Sequence, residues 1–513
     1  MELKNSSAQV ISNILLYNEK ISFLDVSRNN LGDEGISIIA SSFPFSKTLV
    51  HLDLSSTSLS YKGAICLFSK LIQNETISCL IISSSSYQNR NNLQNIEIPE
   101  LTQYLVSTNQ LYYFSLSGVN LGDKGLDFLV RGMVGNNSVH SLDISENQLS
   151  DSSVINIHKL FLIKQLIDIK MGNNKLKDIF KMKLCNEIRK GQPLCIKYLN
   201  MKNCNFTAIN SPFFFKTMSF GLIELNLDNN LLNECDKDTF IYLLTESILL
   251  KKVSFSYCEI GDKEAENLAL GILKTMSLDT LVLSNNYITN FGAFCLSKAL
   301  TNQPCSIVKL DLSYNKIKNK GAYSFFRENI TLENLSLKAN NLNNKAGKKI
   351  LEISAQSKTL IYLNIDLNSI DLYFIDGIQK ILKRNNKSKK KQEIEQLEIF
   401  VNTNNNYDAS YKESIKELQY LTKKLSKETQ NLEIIKNEYK IALETDYSHS
   451  DSMEMKLSEI KGKNFSLNHN TRNLDLEINR KEKEIDDEKD NQRVLDISIS
   501  QQLKTIEKES IIN

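Results

Sequence analysis

Apolar side chains recur along this chain with a fixed internal spacing. In ISFLDVSRNNL, beginning at Ile21, they occupy the first, fourth, sixth and eleventh positions (Ile21, Leu24, Val26 and Leu31), and Asn29 holds the ninth. The same order, L-x-x-L-x-L-x-x-N-x-L, returns in LVHLDLSSTSL from Leu49, VHSLDISENQL from Val139, LIDIKMGNNKL from Leu166 and LIELNLDNNLL from Leu222. It continues in LDTLVLSNNYI from Leu278, IVKLDLSYNKI from Ile307, LENLSLKANNL from Leu332 and LIYLNIDLNSI from Leu360. Less regular copies begin at Ile77, Leu111, Ile196 and Leu250, which brings the total to thirteen. Between successive fourth positions the step is 28 residues six times, with extremes of 25 and 34. Self-similarity at such a period marks a repeat architecture.

Each copy predicts two elements. The x-L-x-L-x segment alternates, so it reads as a short strand with its leucines turned inward. The residues after the strand have helical spacing. Behind the Gly32-Asp33 turn and cap come Ile36, Ile39, Ala40 and Phe43, and LGDKGLDFLVRGM (121–133) repeats the device. Ala265, Leu268, Ala269 and Ile272, then Ala293, Leu296, Ala299 and Leu300, fall at the same spacing. The ninth-position amide (Asn29, Asn147, Asn174, Asn230, Asn286, Asn315, Asn340 and Asn368) is suited to bond backbone groups that the turn leaves unpaired. Thr57, Ser85, Cys204 and Cys258 stand in for it elsewhere. The longest step contains a polar stretch, 83–95, expected as a surface loop. One copy cannot bury its own apolar face. Stacked copies share a core, with parallel strands inside and helices outside, and the wider helical side curves the stack into a horseshoe.

The period and the full helices resemble the ribonuclease-inhibitor subfamily of leucine-rich-repeat proteins. The resemblance implies an α/β horseshoe solenoid over 21–383, preceded by a capping segment, 1–20. The same fold serves unrelated tasks, so it fixes function poorly.

Beyond Leu382 the character changes. KRNNKSKKK (383–391) opens a basic and polar linker expected over 384–410. No proline follows Pro304, and Gly462 is the only glycine after Gly377. From Tyr411 the apolar residues adopt heptad spacing: Tyr411, Leu418, Leu425, Leu432 and Tyr439, with Leu421, Ile435 and Ala442 three further on. Polar residues 446–452 interrupt it. A second run passes through Met453, Leu457, Ile460, Leu467, Leu474, Ile478, Ile485, Leu495, Ile499 and Ile506, with Lys481, Glu488 and Gln492 at seam positions. A coiled coil over 411–508 is expected, engaging a second copy or another helical partner.

Charge adds little direction. Sixty-two basic residues against 60 acidic ones leave a net charge of +2, with no global field toward nucleic acid. Neither a signal peptide nor an apolar membrane span is evident, so a cytoplasmic protein is expected. The nine cysteines never form CxxC and read as reduced core residues. Catalytic constellations are missing. His51, His140, His158, His449 and His469 pair with no other ligand at metal spacing, and no glycine-rich phosphate loop or nucleophile motif occurs. Neither enzyme chemistry, metal nor cofactor is expected.

The natural binding surface is the concave strand face. Its outward positions in the first five copies include Phe23, Asp25, Arg28, His51, Asp53, Tyr113, Asp143 and Glu146. Later copies contribute Tyr198, Glu224, Asp228, Tyr257, Asp311, Tyr314 and Tyr362. Tyrosines among carboxylates suit a protein partner, because aromatic rings bury much area at low entropic cost. The combination of repeats and heptad tail resembles the leucine-rich-repeat and coiled-coil proteins of centrosomes, basal bodies and axonemes. That resemblance implies a scaffold at the cytoskeleton, cilium or centrosome. A second resemblance, to Ran-type GTPase-activating proteins, implies a role for Arg28 toward a small GTPase. About twenty residues precede the first copy, so no nucleotide-binding module is expected there.

Overall fold

The computed structural model describes residues 3, 5–84, 87–188, 194–209, 211–218, 221–301, 306–326, 332–444, 463, 470–481 and 483. Two compact units divide the chain, Met1–Asn386 and Lys387–Asn513.

In the first unit thirteen strands form one sheet, in sequence order and all parallel. Each strand is three residues long, and its middle residue is the fourth position of a repeat. Leu24 pairs with Leu52, Leu52 with Leu80, Leu80 with Phe114, and so on to Leu335 with Leu363. All thirteen centres except Leu24, which stands at the open edge, are buried. Helices cover the opposite side of the core, from Gly32–Ala40 through Asn344–Ser354. Paired strands lie about 4.8 Å apart, whereas packed helices need roughly 8–10 Å, so the strand side is the concave one. Helix Asn5–Tyr17 lies on the first repeat helix and buries Ala8 and Leu15.

Polar side chains bind one repeat to the next in two ladders. In the first, the amide of Asn147 donates to Leu116 O (2.7 Å) and Ser145 O (3.0 Å) and accepts from the N–H groups of Val119 (3.1 Å) and Leu121 (3.0 Å). Asn230, Asn286 and Asn315 make corresponding bonds. Asn29 extends the ladder to the N-terminal segment by accepting from Leu3 N at 2.9 Å. Where the amide is replaced by cysteine, the thiol donates instead. Cys258 Sγ reaches Leu227 O (3.3 Å), and Cys204 Sγ reaches Met171 O (3.5 Å). Both are fully buried, and all eight cysteines among the described residues are free.

The second ladder corrects the reading of Gly32-Asp33 as a cap for its own helix. Helix Gly32–Ala40 has no side-chain cap. Asp33 reaches across to the next repeat and accepts from Ser60 N (2.7 Å) and Ser60 Oγ (2.5 Å), at the N-cap of helix Tyr61–Leu71. Asp123 does the same with Ser150, Asp178 with Thr207 and Asp262 with Thr289. A carboxylate so placed satisfies N–H groups that the next helix leaves open.

A second correction concerns the third repeat. Ser85, expected in its ninth position, lies outside the described residues, and Asn91 fills that slot. Its amide donates to Leu54 O (2.9 Å) and Ile82 O (2.8 Å) and accepts from Thr57 N (3.0 Å) and Leu59 N (2.9 Å). The expected loop 83–95 is therefore shorter. The chain returns to register at Asn91, and Leu93 is buried behind it.

Helix Leu372–Glu444 runs unbroken through 384–410, the stretch expected as a linker. Its Asn385 is buried in the first unit, donating to Ser357 O (3.0 Å) and Leu360 O (2.8 Å). In the second unit, residues 470–481 form a further helix. Of the second heptad run, Leu474 and Ile478 are described, whereas Met453, Leu457, Ile460, Leu467, Ile485, Leu495, Ile499 and Ile506 lie outside the described residues. Among the described residues no helix is long and apolar enough to cross a membrane.

Candidate functional site

Alternation in a three-residue strand turns its two end residues outward while the centre faces the core. The register then sets equivalent residues of neighbouring repeats side by side, Phe23 beside His51 and Asp25 beside Asp53. Just beyond each strand, one residue adopts left-handed backbone as the chain turns toward the helix. Arg28 (φ 58°), Glu146 (φ 57°), Tyr257 (φ 56°) and Tyr314 (φ 54°) all occupy this position. That conformation is uncommon for residues with a side chain, and here it aims each of them away from the core.

The candidate residues fall into three groups. A hollow of about 760 Å³ spans the first five strands and is lined by Asp25, Arg28, Asp53, Tyr113, Asp143 and Glu146, together with Tyr87 and Arg90 from the third-repeat excursion. Four carboxylates face two guanidinium groups there, and one of the latter, Arg90, donates to Gly118 O at 3.1 Å. A second hollow, of about 250 Å³, takes in Tyr198 and Glu224 with Asp168, Lys170 and Lys252. A third, of about 360 Å³, takes in Asp311, Tyr314 and Tyr362 with Lys309 and Lys338. Phe23, His51, Asp228 and Tyr257 line none of the three. The strand face thus changes from carboxylate-rich at its N-terminal end to mixed lysine and tyrosine at its C-terminal end.

Several acidic residues hold the backbone as well as facing the hollow. Asp25 Oδ1 accepts from Ser27 N (2.8 Å), Asp53 Oδ1 from Ser55 N (2.8 Å), Asp143 Oδ1 from Ser145 N (3.0 Å) and Asp311 Oδ1 from Ser313 N (2.9 Å). These are Asx turns at the ends of the strands. Asp228 is committed further, since its Oδ1 accepts from Ser254 Oγ (2.6 Å) and Ser256 N (2.7 Å) of the next repeat. Burial, then the neighbouring Asp143 carboxylate, push the Tyr113 phenol above its ordinary range, so the ring presents a neutral hydroxyl to the hollow.

Aromatic pairs extend the face along its edge. Phe23 stacks on His51 with centroids 4.3 Å apart, and Tyr112 stacks on His140 at 4.6 Å. Strand alternation alone does not single out Tyr112 as a site residue. The available signal is that Tyr112 and His140 share the second position of adjacent repeats, where Val50 and Ile167 stand in other copies. Lysines escape the sequence reading as well. Lys170 lies over the Tyr113 ring at 5.8 Å, Lys338 over Tyr314 at 5.7 Å and Lys316 over Tyr287 at 4.4 Å. Among the described residues no group of three His, Cys, Asp or Glu side chains is placed to hold a metal ion.

Parts of this chain are similar to known proteins. A leucine-rich-repeat family model matches residues 17–40, 45–68, 135–157 and 303–326, the first, second, fifth and eleventh repeats. The ribonuclease inhibitor of Mus musculus is 26% identical over 219 residues, 42% of this chain and 48% of the inhibitor. The match therefore spans about half the length of that relative. NACHT, LRR and PYD domains-containing protein 14 of Homo sapiens is 23% identical over 315 residues, 60% of this chain and 25% of that protein. Among solved structures, an internalin of Listeria monocytogenes overlays 68% of this chain and 92% of its own, at 17% identity and a TM-score of 0.40. With a parallel strand for every repeat and a ribonuclease inhibitor among its relatives, this chain carries leucine-rich repeats and is similar to the ribonuclease-inhibitor-like subfamily.

Proposed function

We propose that the chain is a non-enzymatic scaffold that grips a protein partner on its concave strand face and assembles through its helical tail. The observation that carries this reading is the first hollow, where Asp25, Asp53, Asp143 and Glu146 converge around Tyr113. It is wide and open, as a protein surface requires, and its carboxylates suit a partner segment bearing lysine or arginine. The tyrosines and the stacked rings along the edge supply the apolar area that charge alone lacks. The layout of repeats followed by heptads favours the cytoskeleton, cilium or centrosome as the place of work.

The Asx turns dictate how to test it. Asn keeps the Oδ1 acceptor that each turn needs while removing the charge. Asp25→Asn, Asp53→Asn, Asp143→Asn and Glu146→Gln are combined in the full chain, and the affinity for a partner captured by crosslinking is compared with the parent. Binding weakened tenfold or more, with loss of its salt dependence, is the expected result. Equal affinity would remove the strand face from the reading. Uniform distribution of the tagged chain through the cytosol would remove the cytoskeletal placement.

A second reading, activation of a small GTPase, is favoured by one observation: Arg28 is exposed and lines the same hollow. An arginine supplied in trans stabilises charge on a transferring phosphoryl group. Single-turnover GTP hydrolysis across a panel of small GTPases decides it, since no acceleration by the full chain eliminates this reading.

A further inference from the structure

The second unit carries an unexpected ion pair. In the heptad pattern Lys481 is a flaw, a charge at a seam position of the second run. Its Nζ lies 2.7 Å from Glu417 Oε2, and its side chain is only 21% exposed. Glu417 belongs to the first heptad run, so two segments far apart in sequence meet at this point.

Burial on the two helices shows how they run. On helix Leu372–Glu444, the partly covered positions near the ion pair are Leu421, Leu425 and Glu428, while 416, 417, 419 and 420 are exposed. Spacings of four and three put those covered positions on one face. On the helix at 470–481, Thr471, Leu474, Ile478 and Lys481 lose exposure, again with spacings of three and four, and Leu474 is 6% exposed. From the anchor at Glu417, an antiparallel arrangement sets residues 471–478 opposite 421–428, which is where the covered stripe lies. The residue numbers agree: Leu421 with Ile478, Leu425 with Leu474 and Glu428 with Thr471 all add to 899.

We propose that the two heptad runs of the tail pair with each other within one chain, as an antiparallel helical hairpin, instead of pairing with a second copy. The sequence carries the same relation beyond these residues. Leu432 matches Leu467, Tyr439 matches Ile460 and Ala442 matches Leu457, all apolar with apolar. The midpoint of the pairing falls in DYSHSDS (446–452), the polar interruption of the heptads. Lys481 and Glu488 argue in the same direction. In a parallel pair of identical chains each would meet its own copy across the seam, like charge on like charge. In the hairpin Lys481 meets Glu417. The proposal is independent of what the strand face binds. It assigns the inner apolar stripe of the tail to the chain itself and leaves Tyr420 and Leu476, both exposed, on outward faces.

The test uses the unmodified full chain. Equal amounts of protein grown in ¹⁴N and ¹⁵N media are unfolded together, refolded, treated with a zero-length carbodiimide crosslinker and digested. A Glu417–Lys481 crosslink joining peptides of the same label only, at every protein concentration, is the expected result. Mixed-label crosslinked peptides would overturn the proposal in favour of pairing between copies. So would loss of this crosslink while other tail lysines still couple to carboxylates. A second measurement needs no crosslink. Leu474→Asp in the full chain is expected to speed amide exchange across 417–429 by about tenfold or more, because those residues lose their packing partner. Unchanged exchange there overturns the hairpin, whatever the strand face does.

Discussion

Asn174 holds Asn147. The Oδ1 of Asn174 accepts from the backbone N–H of Asn147 at 2.9 Å and from that of Leu149 at 3.1 Å, while its Nδ2 donates to Met171 O at 2.8 Å and Ile144 O at 3.2 Å. One buried amide thereby closes its own turn and the turn before it. Because most repeats are tied to a neighbour in this way, the stability of the first unit resides in the contacts between repeats.

Asn174→Ala is expected to cost about 3 kcal/mol, since an unsatisfied buried backbone group costs roughly 1–3 kcal/mol and several are left here. Asn174→Asp keeps the Oδ1 acceptor but sets a second oxygen against the carbonyls of Met171 and Ile144, and is expected to cost at least as much. Urea unfolding of the variants measures the loss. Hydrogen exchange locates it at the junction of the fifth and sixth repeats, and uniform loss along the unit would contradict a ladder of local contacts.

Gly292 exists to let the second ladder pass. A methyl group there would lie 2.6 Å from Asp262 Oδ1 and 2.9 Å from Ala265 Cβ, the same Asp262 that accepts from Thr289 and from Gly292 N at 2.9 Å. Gly292→Ala is expected to destabilise by about 1–3 kcal/mol, the usual range for overpacking, even though alanine is the better helix former. A stabilised variant would show that the helices have room to part.

Lys181 is a fully buried lysine with every donor used. Its Nζ reaches Thr207 O (2.6 Å), Ile209 O (2.8 Å), Asp178 Oδ1 (2.8 Å) and Ser211 Oγ (3.2 Å). Lys181→Ala removes the cation but leaves the carboxylate and two carbonyls, and a loss of about 3 kcal/mol is expected. Differential scanning calorimetry of the full chain reads it as a lowered first transition.

The same pair sets a pH dependence. Burial alone raises the Asp178 carboxyl, but hydrogen bonds from Lys181 and Thr207 outweigh it and leave the group below its ordinary value of 3.8. Its contribution is therefore present above that value and lost as pH falls through the lower, folded-state value. Burial also lowers Lys181, with Asp178 opposing. That penalty is present below the folded-state value of Lys181 and relieved as pH rises toward its ordinary one. The difference in stability between the parent and Asp178→Asn should shrink in acid below about pH 4, and a difference that grew there would refute the assignment.

The ladder thiols should be inert. Burial pushes both Cys204 and Cys258 up to about 12, so almost no thiolate is present at neutral pH. Iodoacetamide is expected to modify the half-exposed Cys66 in the folded chain and to reach Cys204 and Cys258 only in denaturant, as peptide mass spectrometry would show. Rapid labelling of Cys258 without denaturant would mean the ninth repeat opens on its own.

The repeating apolar frame was legible in the sequence. The thirteen strand centres, from Leu24 to Leu363, and the ninth-position amides could be read because each copy faces the same surroundings, so the period alone settles which residues go inside. The outward placement of Asp53, Tyr113 and Asp143 followed from strand alternation. Tertiary structure decided what passes between one copy and another. Asp33 looks like a cap for its own helix, and only the packing of two repeats shows that it serves Ser60. Asn91 replaces Ser85 because the chain length between strands is elastic while the slot behind them is not. Lys181 carries no mark in the repeat pattern, and only the fold surrounds it with four acceptors from its own helix and the next repeat. Lys481 reads as a broken seam until Glu417 stands opposite. A period specifies what each turn of chain must bury. Which polar groups meet depends on distances across the stack, and those exist only once the turns are packed.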